Sequence, residues 1–553
     1  MTLFFGLALC SGLQAAPHIS GKYIEGQPQD HVHKVRDIRE LRSMNLSPSQ
    51  IRKAIGSEGT KKVAVLAIGF PSADATTSGA AGIVSTTTVK TKLNQMKAFY
   101  EEVSYNTLDL SFEVLATTFV ASNPMQFYGK PDQGDVLIRE AIQKAGIQQG
   151  TGAGQYEAVM VIHAGYGNES TSSTDNGDIW SALYTFTATN GFTEGLIVSE
   201  FEDGGDPFGV WCHEMGHQIG LPDLYSTDGR ASASQVGYWD LMDMGVWAGS
   251  PDGSTPTHPG AWCKQILGWV SPININSIQT VSLSPIETAK EAVKLLIPTA
   301  DDPDREYFLV EYRSRTSGVR DTGIPGDGIL IWHIDDAVNY GQVTYDGVTD
   351  TRFNLNIINN SYGTDHRGVS LVPADGTDPT ENYGTAGNTW PGAKLTFTAP
   401  DSNAFNTKPS GITLAGFTFS GGNYLFSASQ ITYSDVLSIS KTANYPNPAG
   451  TSYPVSAAKP AGTITTLAFH FTRPPQRLQL TIYDFAGEIV RKIDAADIVF
   501  RGEALGPSDD NKWVYEYNWD GKNDSGEAVA DGLYLYRVKA DDAIKVGKLA
   551  IVG

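Results

Sequence analysis

The order of hydrophobic and polar positions divides this chain into regions of different kind. Val63, Ala64, Val65, Leu66, Ala67, Ile68, Gly69 and Phe70 form a short apolar run, which predicts a buried strand. Leu93, Met96, Phe99, Tyr100 and Val103 recur at helical spacing and predict a helix over 89–104. Residues 108–120 alternate like a strand, 134–146 read as a second helix, and 157–163 form a second buried strand that ends at Ala164, Gly165, Tyr166 and Gly167. Strands alternating with helices predict an α/β (α+β) half-domain. From about 275 to 430 the pattern changes to strands and turns without a strong helix, clearest at 306–312 and 328–334. A linker near 431–446 ends in Tyr445, Pro446, Asn447 and Pro448. Strands return at 478–483, 513–519 and 532–538, separated by turn-rich stretches at 484–487 and 520–526, which predicts a small β-sandwich.

At roughly 100–200 residues per domain, 553 residues predict three or four domains. The net charge of −21 gives no basic footprint, so nucleic acid is excluded as a partner. Three cysteines exclude a disulfide framework, and none forms a C-x-x-C pair. Residues 3–9 are an apolar run followed by small residues, which reads as a signal peptide over 1–16 cleaved after Ala15 or Ala16; no positive segment precedes it. Cys10 lies in that stretch, which leaves Cys212 and Cys263 as the candidate disulfide of an exported chain. Residues 17–59 are polar and read as a short pro-segment or an N-terminal arm. No other run is long enough for a transmembrane anchor.

The chemistry is concentrated between Asp206 and Tyr225. Asp206 is a good N-cap, Pro207 suits the first helical position, and Gly220 with Pro222 ends the helix, so a helix is predicted at about 207–219. His213 and His217 are four apart on one face and can converge on one catalytic Zn²⁺. Glu214 stands beside the first histidine, where it can take a proton from an attacking water and return it to a leaving amine. Gly220 lets the chain turn sharply, which brings Asp223 back as the third ligand; Asp240 and Asp243 are the alternatives. Beside such a helix, the aromatic-rich stretch 238–247 looks like a Met-turn, an apolar floor beneath the metal, with Met242 the better candidate and Met244 the other. His163 and His333 each follow a β-like run and read as core histidines rather than ligands.

These residues resemble the immune inhibitor A family of secreted bacterial metallopeptidases, which are metzincin-like. The similarity extends to Phe99–Tyr105, Val161–Gly167, Ile179–Ser181, His258–Trp269, Glu306–Arg313 and Gly328–Asp335, and covers about 60–430. It implies a zincin-type catalytic domain over 60–275 with a β-rich domain, 276–430, packed on it. It also implies zinc endopeptidase activity on protein or peptide substrates, secretion to the extracellular space or cell surface, a removable pro-segment, and structural Ca²⁺. The family's glycine-aspartate pair in a late acidic loop stands here as Gly387 and Asn388, which weakens a calcium site there. The pro-segment contains no cysteine, so a cysteine switch is excluded. Residues 431–553, a linker and a terminal domain, resemble the Ig-like domain of flagellar hook-capping proteins at Ile482–Gly487, Trp519–Gly521 and Asp531–Tyr536. That likeness implies contact with the cell surface or export machinery and carries no chemistry. The competing reading is an exported, non-catalytic adhesion or binding protein built on its β-domains; a binding protein has no need of Glu214 beside a metal ligand. A zinc amidase is a third.

Overall fold

In a computed structural model the described residues are 13–15, 56–71, 85–129, 133–171, 177–227, 234–317, 320–345, 348–360, 366–408, 410–430, 439–447, 449, 462–471, 475, 477–503, 513–541 and 543–552. Most of 1–16 and of 17–59, where the signal peptide and pro-segment are expected, lies outside them. The chain divides into two compact units, residues 1–430 and 431–553.

The first unit is organised by one mixed sheet built from β1 (Leu13–Ala15), β2 (Gly59–Gly69), β3 (Leu108–Val114), β4 (Phe119–Val120), β5 (Ala158–Tyr166), β6 (Ala182–Thr189) and β7 (Phe192–Phe201). The order is β1-β6-β7-β5-β2-β3, with β4 also on β2. Strands β7, β5, β2 and β3 run parallel, whereas β6 and β1 add antiparallel pairings at one side. Parallel strands covered on both faces need apolar residues throughout, which is why Val63–Ile68 has no polar position and is buried along its length. Helices α1 (Thr86–Val103) and α2 (Gly134–Ala145) supply cover, and α1 buries the positions read from its periodicity: Leu93, Met96, Phe99, Tyr100 and Val103. Helix α3 (Phe208–Gln218) follows β7 and packs on β7 and α1, with every residue buried.

After the short helix α4 (Ala261–Ile266), a five-stranded sheet joins β8 (Ile273–Asn274), β10 (Val293–Leu296), β11 (Glu306–Arg313), β12 (Gly328–Asp335) and β13 (Val369–Leu371). A three-stranded sheet joins β9 (Gln279–Leu283), β15 (Asn423–Gln430) and β14 (Ile412–Ser420). Strands β11 and β12 are buried at every position, and their alternate residues serve two cores. Tyr307, Leu309, Leu330, Trp332 and Ile334 join the core of the parallel sheet. Phe308, Val310, Tyr312, Ile329 and Ile331 join the core shared with the three-stranded sheet. The region from 276 to 430 therefore has a core of its own and also packs one face of β11 and β12 into the core of the region before it.

The second unit has two antiparallel four-stranded sheets. One contains β16 (Ile439–Tyr445), β17 (Thr465–Phe471), β20 (Val499–Glu503) and β21 (Trp513–Trp519); the other contains β18 (Leu478–Tyr483), β19 (Ile489–Asp494), β22 (Gly532–Ala540) and β23 (Ala543–Ile551). Leu467, Phe469 and Phe471 of one sheet share a core with Leu480, Ile482, Tyr536 and Val538 of the other. The linker expected near 431–446 is corrected in its second half: 439–445 is strand β16, paired with β17. Tyr445 is bound to Glu516 through its hydroxyl.

Candidate metal centre

Helix α3 begins one residue later than expected, which moves the N-cap position from Asp206 to Pro207; Asp206, just before it, accepts the Phe208 N–H at 2.9 Å. It ends where Gly220 takes a positive φ of 107°, a conformation open to glycine, and the chain turns back past the helix. That reversal carries Asp223 to the histidines. The imidazole Nε2 atoms of His213 and His217 are 3.1 Å apart, and Asp223 Oδ1 lies 3.1 Å from the first and 3.2 Å from the second. All three side chains are buried.

The protonation of this triangle follows from what surrounds it. His213 Nδ1 faces the carbonyl of Leu241 at 3.0 Å, and His217 Nδ1 faces that of Leu221 at 2.8 Å. A carbonyl only accepts, so each Nδ1 carries the proton and each Nε2 of a neutral ring presents a lone pair. Asp223 Oδ2 is held by the Asn356 amide, while Oδ1 receives no hydrogen bond. Three acceptors thus face one point without a hydrogen between them. Ligands around a tetrahedral ion at about 2.0–2.1 Å sit roughly 3.3 Å from one another, so the donor set fits zinc. Glu214 offers a carboxylate oxygen within 4.8 Å of ligand atoms of both histidines and is fully buried.

The other acidic candidates are engaged elsewhere. Asp240 accepts the N–H groups of Met242 and Gly260, each at 2.7 Å. Asp243 accepts those of Gln235, Val236, Gly237 and Met244, and burial pushes its carboxyl up to about 6. Met242 packs beneath the helix between the two histidines: a Cβ on Gly216 would meet its sulfur at 2.8 Å. Its carbonyl accepts the Leu224 N–H at 2.8 Å, tying the floor to the segment that carries Asp223. Met244 belongs to a separate small cluster with Val210, Val246 and Trp247.

The disulfide expectation is corrected: Cys212 and Cys263 are free thiols, both buried. The Cys263 thiol is hydrogen-bonded to the Asp240 carboxylate, and burial pushes both thiols well up. His163 lies on β5 with Nδ1 on the Ala164 carbonyl, and burial lowers it to about 4. His333 is paired with Glu306 at 2.9 Å and stacked on Phe405. Neither joins the metal centre. Asn388, in the late loop, spends its amide oxygen on Trp239 Nε1 and the Thr385 N–H.

Several residues that sequence reasoning missed hold the centre. Asn356, at a positive φ of 56°, accepts the Asp223 N–H at 2.6 Å. Asn359 donates to the Leu224 carbonyl and Asn360 accepts the Thr227 N–H. Their signal is the asparagine-rich segment 354–360, which is more than a hundred residues from the motif. The Tyr225 hydroxyl is hydrogen-bonded to Asp223, and Tyr100 donates to the Cys212 carbonyl at 2.5 Å.

Residues 144–270 match the family described as immune inhibitor A peptidase M6, catalytic domain. The pre-pro-metalloprotease PrtV of Vibrio cholerae serotype O1 is 27% identical over 250 residues, which cover 37% of this chain and 27% of that protein. Immune inhibitor A of Bacillus thuringiensis subsp. alesti is 35% identical over 120 residues, covering 19% of this chain and 17% of that one. The matched part is thus about a quarter of the first relative's length and about a sixth of the second's. Among solved structures, CopC from Methylosinus trichosporium OB3b overlaps 16% of this chain and 74% of its own, at 19% identity and a TM-score of 0.10. PorZ from Porphyromonas gingivalis overlaps 40% of this chain and 21% of its own, at 14% identity and a TM-score of 0.14.

Proposed function

We propose that this chain, whose residues 144–270 match a peptidase M6 catalytic domain, is a secreted zinc-dependent endopeptidase that cleaves peptide bonds of proteins. The observation that carries the reading is the buried triangle of two histidine lone pairs and one unshared carboxylate oxygen, with Glu214 beside it. His213, His217 and Asp223 would hold the ion, and Met242 would form the floor under the helix. Zinc, when bound, supplies Lewis acidity to the scissile carbonyl and to the attacking water.

The remaining work falls to the chain's own groups. Glu214 takes the proton from the attacking water and later gives it to the leaving amine, which needs a carboxylate held still beside the ligands. Burial in α3 provides that restraint. The Leu241 and Leu221 carbonyls fix both imidazoles in the tautomer that turns Nε2 toward the ion. Support for an extended peptide substrate comes from the antiparallel side of the sheet, where Leu13–Ala15 lies on β6 in strand register. Secretion is supported by the apolar run at 3–9 and by the metalloprotease relatives, and the terminal two-sheet unit would serve surface or export contact.

Glu214→Ala tests the mechanism. Zinc content should stay at the parental value while kcat on casein falls by roughly 10²–10⁴-fold. Parental turnover by that variant would refute Glu214 as the proton carrier.

A further inference from the structure

The terminal two-sheet unit carries a charge pattern unlike the rest of the chain. Residues 1–430 hold 27 lysines and arginines against 46 aspartates and glutamates, whereas residues 431–553 hold 13 against 15. Strand register shows where these cations gather. Leu480, Ile482 and Val538 turn into the core, so Gln479, Thr481, Arg537 and Lys539, which alternate with them, lie on the opposite face of their sheet. Each row continues across the neighbouring strands. Lys539 stands between Gln479 and Ile544, with Asp494 beyond Gln479. Arg537 stands between Thr481 and Val546, with Lys492 beyond Thr481. In the next row Leu535 stands between Tyr483 and Lys548. These rows present four cations, Lys492, Arg537, Lys539 and Lys548, against the one carboxylate of Asp494. None of the four has an ion-pair partner among the described residues, whereas Arg491 on β19 pairs with Asp524 at 4.0 Å. Ile544, Val546 and Leu533 share the face, each more than half exposed. At the Lys539 end, a cleft of about 150 Å³ is lined by Arg477, Gln479, Lys539 and Asp541, and the Asp541 carboxylate accepts the Arg477 N–H at 2.8 Å.

We propose that the outer face of β18, β19, β22 and β23 docks on the surface of a bilayer that contains anionic phospholipid. This gives a chemical partner to the surface contact proposed above for the terminal unit, and rests on that reading. Two features of the face select a bilayer together. The unpaired cations match a layer of phosphate headgroups, and the aliphatic side chains among them enter the boundary between headgroups and acyl chains. A soluble polyanion would satisfy the cations and leave Ile544, Val546 and Leu533 in water. An antiparallel sheet with one face on its core turns polar residues outward by default, so large aliphatic side chains on the solvent side mark a contact surface. The acidity of residues 1–430 does not oppose such docking at a distance, because salt screens charges within about 8 Å. Each lysine or arginine brought to an anionic leaflet strengthens partition roughly fivefold. The face shares no residue with the zinc triangle, so docking and peptide cleavage are separable.

The test is co-sedimentation of the full chain with vesicles of phosphatidylcholine alone or mixed with phosphatidylglycerol, at low and high salt. The parent should sediment with the mixed vesicles, stay in solution with phosphatidylcholine, and be released by salt. The double variant Arg537→Gln, Lys539→Gln should partition roughly 25-fold more weakly, with Tm and casein turnover at the parental values. Ile544→Ser with Val546→Ser should also weaken partition, while retention on a heparin column stays as in the parent. Should the Arg537 variant fail to fold, Lys492→Gln with Lys548→Gln, both at exposed positions, decides the matter in its place. A parent that ignores the mixed vesicles overturns the proposal, as do charge variants that partition like the parent. Binding to heparin without binding to vesicles overturns it too, in favour of a soluble polyanion. A chain retained on cells through residues 431–553 yet indifferent to both vesicles would keep the surface reading and overturn this one.

Discussion

Two buried polar clusters meet at the segment from Trp239 to Leu241, and they solve the same electrostatic problem in opposite ways. On one side, the Arg313 guanidinium donates to Asp321 and Glu287, approaches Glu311 at 3.6 Å, and caps the Trp239 carbonyl at 2.9 Å. The Lys264 ammonium and His258 sit beside it, and all these groups are buried. On the other side, His213 binds the Leu241 carbonyl, and its Nε2 turns toward His217 and Asp223 with no lysine or arginine paired to that carboxylate among the described residues. The first cluster carries its own cations, so its carboxylates are neutralised from within. Burial pushes Glu287 and Glu311 up, while Arg313 holds Asp321 low against the same burial. The second cluster has acceptors only, and so calls for a cation from outside the chain. A buried polar group is architectural where the sequence balances its charge, and a binding site where the sequence leaves the balance open.

The largest effect expected from this contrast is in the self-balanced cluster. Arg313→Met removes its guanidinium and strands three buried carboxylates, which should cost roughly 3–5 kcal/mol in urea unfolding. A loss below about 1 kcal/mol would mean that the carboxylates protonate without penalty, and the contrast would fail.

His163 supplies a buried polar group with no ion pair among the described residues. Its folded value of about 4 lies below the free histidine value of about 6.5. The folded state therefore binds fewer protons than the unfolded state in that window. Its contribution is fully present above pH 6.5 and is lost as the pH falls toward 4. The shift corresponds to about 3 kcal/mol. His163→Leu should flatten unfolding free energy against pH between those limits; an unchanged slope would assign the pH dependence to other groups.

The smallest effect concerns the metal side. Asn356→Ala removes the acceptor of the Asp223 N–H and the amide donor to Oδ2, and zinc affinity in a chelator competition should fall roughly 10- to 100-fold. Unchanged affinity would show that Asp223 is held by its own segment alone.

What the sequence made legible was local. His213 and His217 could be paired from helical spacing, and Asp223 from a glycine that permits the return turn. The β11 and β12 runs could be read as strands from their apolar stretches, although Glu306, Glu311, Arg313, His333 and Asp335 are buried among them. Their allegiance to two different cores could not, since it depends on which sheet lies over each face. Asn356 was invisible because its bonds to Asp223 span 133 residues with no periodicity to announce them. Arg313 ended a recognised strand, but nothing local marks a guanidinium that reaches Trp239. The disulfide failed for a related reason: counting cysteines ignores direction, and the Cys263 thiol points to Asp240.

The most direct test of the central contrast is zinc content by atomic emission in the purified parent and in Asp223→Ala. One equivalent per chain in the parent, lost in the variant while the fold is retained, is the expected result. Full zinc in Asp223→Ala, or none in a parent refolded with excess zinc, would contradict the assignment of this triangle as a metal centre.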